Sequence, residues 1–273
     1  MIKPVASVLV LALMSIGLWG QPQAHPWPTE SDRPTLVVQI QPPPGYQRLN
    51  MEEDSFGSWL RQLPLREDTT VYLYDGRVKP RQDVQSAVID IDIGNRDLQQ
   101  CADAVMRLRA EYLLARGRDA EIGFNFTSGH PATWLAWREG QRPKVSGSQV
   151  VWQKRSEPDA SYANFRRYLT TVFVYAGTAS LVRELNRVPD PLAVSPGQVF
   201  IQGGFPGHAV LVMDVAENQR GERVFLLAQS YMPAQNMHIL RQPNKTDPWY
   251  PAKAVGELVT PEWAFRYTDL YTW

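Results

Sequence analysis

Cysteine is the scarcest chemistry in this chain: among 273 residues only Cys101 carries a thiol. A single cysteine excludes an intrachain disulfide and cannot anchor a structural zinc site. Histidine is almost as sparse, with only His25, His130, His208 and His238. No two of these stand at helical or hairpin ligand spacing, so neither a metal nor a cofactor is implied. Excess charge is also missing. Lys+Arg and Asp+Glu are each 28, for a formal net charge of zero, and nothing argues for nucleic acid through phosphate neutralisation. There is no Gly-x-Ser-x-Gly elbow and no phosphate loop. Past the N-terminus no apolar run approaches the roughly 20 residues that span a bilayer.

What is present begins with a leader. Lys3 supplies a short positive region, and Val5 to Leu18 form an apolar stretch too short for a comfortable membrane span. Residues 1–24 are therefore expected to be a signal peptide, with cleavage after Ala24 or near Gly20. The remainder, 25–273, is expected to be one exported α+β domain with no transmembrane segment, periplasmic or secreted. Exported proteins usually pair their cysteines, so the lone Cys101 is either a free thiol or an intermolecular partner. The 22 prolines and nine tryptophans suggest a loop-rich fold.

Periodicity gives the elements. Thr35 to Gln41 alternates as a strand until Pro42, Pro43, Pro44 and Gly45 stop it. Ser55 to Leu63 is a short helix, and Val71 to Tyr74 and Ala87 to Ile93 are strands. Asp90 and Asp92 share one face of the latter strand; they fit a solvated face or two ligands of a cation. Over about 97–116 the pattern predicts a helix, with Asp97 as cap, Gln100 as its capping-box partner and Gly117 as the stop. Leu98, Cys101, Val105, Leu108 and Tyr112 form its apolar stripe. Residues 122–151 read as short strands and loops, and Ser161 to Leu185 as one long helix. Core strands follow over about 198–230: Gln198 to Gln202, His208 to Ala216 and Arg223 to Gln229. Beyond them the chain reads as irregular segments wrapping the body.

Cys101 falls in the first turn of its helix, where unpaired N–H groups and the helix dipole favour a thiolate. Such a nucleophile needs a base and a group to orient that base. His208 opens a strand behind Gly203, Gly204, Pro206 and Gly207, glycines that leave room for a ligand. Gln229 ends the third strand and can bond the ring.

This order is helix-start Cys101, a Pro196-Gly197 turn into a strand, Gly-flanked His208 on the next and polar Gln229 on a third. It resembles the papain-like NlpC-type cell-wall peptidases over about a third of the chain. The resemblance implies an antiparallel sheet packed on the Cys-bearing helix, with a large helical and loop insertion over about 118–195. It implies Cys101 as nucleophile, His208 as base and Gln229 as orienter, with Gln99 or Gln100 helping to hold an oxyanion. Gly207 and Tyr231 would border the substrate, a peptide such as those of peptidoglycan. The usual Asp/Asn-Cys-Ser approach to the helix is absent. A second resemblance runs nearly end to end. Asp97-Leu98-Gln99-Gln100-Cys101-Ala102-Asp103-Ala104, Pro206-Gly207-His208-Ala209-Val210 and Leu227-Ala228-Gln229-Ser230-Tyr231-Met232-Pro233-Ala234-Gln235 are similar to blocks of an exported bacterial family, domain of unknown function 4846. That family brings no activity with it.

Three readings follow. The first is a thiol hydrolase or amidotransferase acting on amide bonds. The second is a non-catalytic envelope module that binds glycan or peptide through exposed Trp134, Trp137, Trp152, Trp249 and Trp263, with Tyr231 and Tyr250. The third is a papain-like fold that has lost catalysis and serves as an envelope scaffold; against the first stands the plain alternative that Cys101 is a small buried hydrophobe.

Overall fold

A computed structural model describes residues 25–273; the expected leader, residues 1–24, lies outside them. Its centre is a nine-stranded sheet. The strands are β1 (Tyr46–Arg48), β2 (Gln85–Val88), β3 (Asn186–Arg187), β4 (Val199–Gln202), β5 (His208–Asn218), β6 (Arg223–Gln229), β7 (His238–Leu240), β8 (Trp249–Pro251) and β9 (Leu270–Thr272). They run in the order β2-β7-β6-β5-β4-β9-β3, with β8 also paired to β6 and β1 to β5. Every pairing is antiparallel. Among the described residues five α-helices accompany it: α1 (Phe56–Arg61), α2 (Cys101–Ala115), α3 (Trp134–Arg138), α4 (Tyr162–Tyr175) and α5 (Thr178–Glu184). The architecture is thus mixed α+β and mainly antiparallel.

The two faces of the sheet follow the two-residue period of its strands. Ala209, Leu211 and Met213 join the core that holds Val105 and Leu108 of α2. Val210 and Val212 turn to the other side, with Phe200, Phe225 and Phe265. Met213 is an extra residue in the β5–β6 pairing, a bulge between Val212 and Asp214. The buried Asp214 carboxylate next to it is held at 2.6 Å by both Arg48 and Arg61, which neutralises a charge that burial alone would make costly.

Several sequence expectations shift here. Thr35–Leu36 is a two-residue strand running into a 3-10 turn, Val37–Gln39, in place of a strand to Gln41. The Cys helix starts at Cys101, with Gln100 as cap and Asp103 returning the capping bond to the Gln100 N–H at 3.0 Å. Asp97 instead accepts from the Gln100 side chain and from the Ala234 amide. Residues 122–154 contain two hairpins and α3, whose N-cap is Thr133.

The long helix expected over Ser161 to Leu185 is two. Ala176 leaves helical geometry and Gly177 is fully extended, while Ser180 accepts the Gly177 N–H and starts α5. The segment expected as an insertion does not stand apart, since Phe124, Trp134, Phe165 and Leu169 share one core with α2 and the sheet. The C-terminal stretch is not merely irregular either. It supplies β7, β8, β9 and a hairpin, Glu257–Val259 with Ala264–Arg266, that covers the face away from α2.

Candidate active site

Cys101 is the first residue of α2, and its thiol borders a cleft of about 230 Å³. The walls come from three places: the start of α2, the α4–α5 break at Ala176–Thr178, and the loop Gly204–Gly207. Met232 adds a rim, and Phe205 stands 91% exposed beside it. The α4–α5 break therefore forms one wall of the cleft. The backbone N–H groups of Cys101, Ala102 and Ala209 act on the sulfur and favour its anion. Burial and the nearby Asp103 carboxylate outweigh them and push the thiol up to about 11.

Ala209 directly follows His208, so the sulfur lies against the start of β5. The His208 ring projects to the face opposite Ala209, stacking on Phe265 and flanked by Tyr231 and Trp263. Thiol and ring thus flank the start of β5. Among the described residues no side-chain hydrogen bond joins them; the ring bond recorded is Nε2 to Gln229 Oε1, at 2.9 Å. Burial lowers His208 to about 4, so at neutral pH the resting pair is a neutral thiol and a neutral imidazole. Tyr231 packs edge-on against the ring.

The structure redistributes the other expected site residues. Gln99 is buried, and its side chain is committed inward: Oε1 accepts from Arg107 at 2.5 Å and Nε2 donates to the Asp92 carbonyl. So turned, it does not line the cleft where an oxyanion would form, a correction that follows from the unanticipated buried stripe Asp103, Arg107 and Glu111 on α2. Gln100 does border the cleft. Gly207 lines the cleft, and the packing behind it also demands a glycine. A Cβ on it would lie 2.6 Å from the Gly204 carbonyl and 2.8 Å from that of Gln202, and closer still to Thr178 Oγ1. Asp90 and Asp92 are no cation pair: Asp90 accepts the Glu30 amide, and Asp92 bridges Arg107 and Arg166.

The tryptophans are likewise internal. Trp134, Trp137 and Trp249 are buried, as is Tyr250, and Trp152 and Trp263 are half-buried. They hold loops to the body and offer no exposed aromatic platform.

Four polar residues at the site escaped the sequence reading. Asp103 is buried at the cleft, held up to about 8 by desolvation, with Oδ1 unpartnered among the described residues. Its signal was present, an acid in the first turn beside the cysteine. His238 lies against Gln229, and Glu262 and Lys79 form a nearly buried ion pair at 2.6 Å beyond it. Nothing local marks those three.

Fold and site define a mixed α+β protein in which a cysteine-bearing helix packs on an antiparallel sheet. Within that class, residues 36–272 match the family model described as domain of unknown function (4846), and the chain belongs to that family. No curated protein and no solved structure matches it. No helix among the described residues is long and apolar enough to cross a membrane.

Proposed function

We propose that the protein is an exported thiol hydrolase or amidotransferase of papain-like type, acting on amide bonds, with cell-wall peptides as its substrate class. One observation carries the reading: Cys101 begins a helix on an open cleft, against the strand end that bears His208 and its Gln229 partner. A thiol in that place receives the helix N–H groups, and an imidazole with Nε2 already engaged by Gln229 stands across the same strand start.

The chemistry balances as follows. Thiol and ring stand on opposite faces of β5, so the Cys101 proton reaches His208 Nδ1 through a water at the start of that strand as the sulfur bonds the substrate carbonyl carbon. The Cys101 backbone N–H and the Gln100 side chain are the donors in reach of the developing oxyanion. The C–N bond breaks, the amine leaves with the proton from His208, and water or a second amine resolves the thioester. Because the resting groups are neutral, proton transfer accompanies attack and no standing ion pair is needed. Phe205 and Met232 at the rim fit an extended chain with apolar side chains.

The neutral resting pair, unbonded to each other, favours a second reading: a peptide-binding module without turnover. Incubation with soluble wall peptides separates the two. The hydrolase reading expects new amine termini, released by the wild type and abolished in Cys101→Ala and His208→Ala. Binding by all three proteins without release would leave the module.

A further inference from the structure

The ring of His208 is useful as a base only in one of its two neutral tautomers, the one with hydrogen on Nε2 and a bare Nδ1. The surrounding polar groups decide which is present, and their donor and acceptor roles can be worked through from the one charged pair. Lys79 Nζ has donors only, and it meets Glu262 Oε2 at 2.6 Å. Glu262 so paired is a carboxylate and can only accept. The Gln229 atom 2.7 Å from that same oxygen must then be Nε2, the amide donor. Gln229 Oε1 consequently faces His208 Nε2 at 2.9 Å. An amide oxygen cannot donate, so the hydrogen between them belongs to His208 Nε2.

The other branch agrees. The second Gln229 N–H points at His238 Nε2, 3.4 Å away, which leaves that nitrogen bare. Its hydrogen then sits on Nδ1, 2.9 Å from the Asn236 carbonyl it donates to. Every hydrogen in the chain has one consistent place.

We infer that Glu262, neutralised by Lys79, is a positioning residue: through the Gln229 amide it fixes His208 with Nε2 protonated and Nδ1 free. The inference rests on the hydrolase reading for its purpose but not for its physics. Lys79, Gln229, His208 and His238 are all buried, so water does not compete for these bonds. The 2.7 Å contact to a carboxylate is the strong one in the set, because hydrogen bonds to an ionised acceptor are about twice as strong as neutral ones. The 3.4 Å contact from His238 only seconds it. Reversing the Gln229 amide would set its oxygen against the carboxylate and present N–H to the ring. His208 would then carry hydrogen on Nδ1, the nitrogen that must receive the thiol proton.

Imidazole nitrogen NMR on the full-length, nitrogen-15-labelled protein reads this directly, and four histidines make assignment by single substitution practical. The wild type is expected to show His208 protonated on Nε2 and His238 on Nδ1. Finding His208 protonated on Nδ1 overturns the inference without any variant. Lys79→Met with Glu262→Met removes both buried charges together and leaves neither unpaired. In that protein the single Nε2–H signature of His208 is expected to be lost, whereas Glu262→Gln, which can still accept from Gln229, keeps it. An unchanged His208 signature in a folded double variant assigns the orientation to His238 alone and overturns the role of Glu262. The readout needs no turnover. A correct tautomer in a protein that cleaves nothing would refute the hydrolase and leave the inference in place.

Discussion

Cys101, His208 and Gln229 were legible because chain order and punctuation announce them: a capped helix start, a Gly-Pro loop and a strand end. Glu262 was not, since it lies 33 residues from Gln229 and 183 from Lys79, and only tertiary folding joins them. Gln99 was misread because the sequence does not reveal that Arg107, two turns along α2, claims its side chain. The buried titratable groups give two predictions of opposite sign. Asp103 is raised from 3.8 to about 8, so the folded protein holds a proton that the unfolded chain has released. Stability therefore falls as pH rises through that window. Asp103→Asn, which keeps an acceptor for the Gln100 N–H, should raise the melting temperature at pH 8 and leave it unchanged near pH 3.5. His208 and His238 are lowered from 6.5 to about 4 and about 3 by burial. Their contribution is complete above pH 6.5 and is lost as pH falls toward those values, so melting curves should shift downward between pH 6.5 and 4. His238→Gln should flatten that decline.

At the scale of elements, strong periodicity was readable and its interruption was not. The apolar stripe of α2 and the alternation of β4, β5 and β6 place these elements within a few residues of their observed bounds. The α4–α5 break was hidden because Ala176 and Gly177 do not disturb the apolar spacing. What ends α4 is a tertiary bond, the Thr127 amide donating to the Tyr175 carbonyl at 2.7 Å, together with the Ser180 cap. The cleft depends on that break and on the close seating of Gly207 under α5. Gly207→Ala should cost about 1–3 kcal/mol, the range for forcing a methyl group into packed space, measured by denaturant unfolding. Thr178→Ala should not rescue it, because two of the three obstructing atoms are backbone oxygens.

For the whole molecule, the α+β class and the central three strands could be read, but the extent of the sheet could not. β7, β8 and β9 are each three residues long, too short for alternation to register, and each exists only because a longer strand offers it an edge. The apparent insertion has no independent core for the same reason: its aromatics are distributed into the core shared with α2. The β5–β6 hairpin that joins both faces is held at its bulge by Asp214. Asp214→Ala should destabilise the fold by about 3–5 kcal/mol, since it leaves Arg48 and Arg61 facing each other part-buried, as equilibrium unfolding would report. The central claim is that Cys101 attacks an amide carbonyl with His208 taking its proton. The most direct measurement is intact-mass analysis of the full chain exposed at neutral pH to a wall-type peptide ending in a vinyl sulfone. The account predicts one stoichiometric adduct on Cys101, lost in His208→Ala although iodoacetamide still labels that variant once it is unfolded. No adduct on folded wild type, or equal labelling of wild type and His208→Ala, would contradict it.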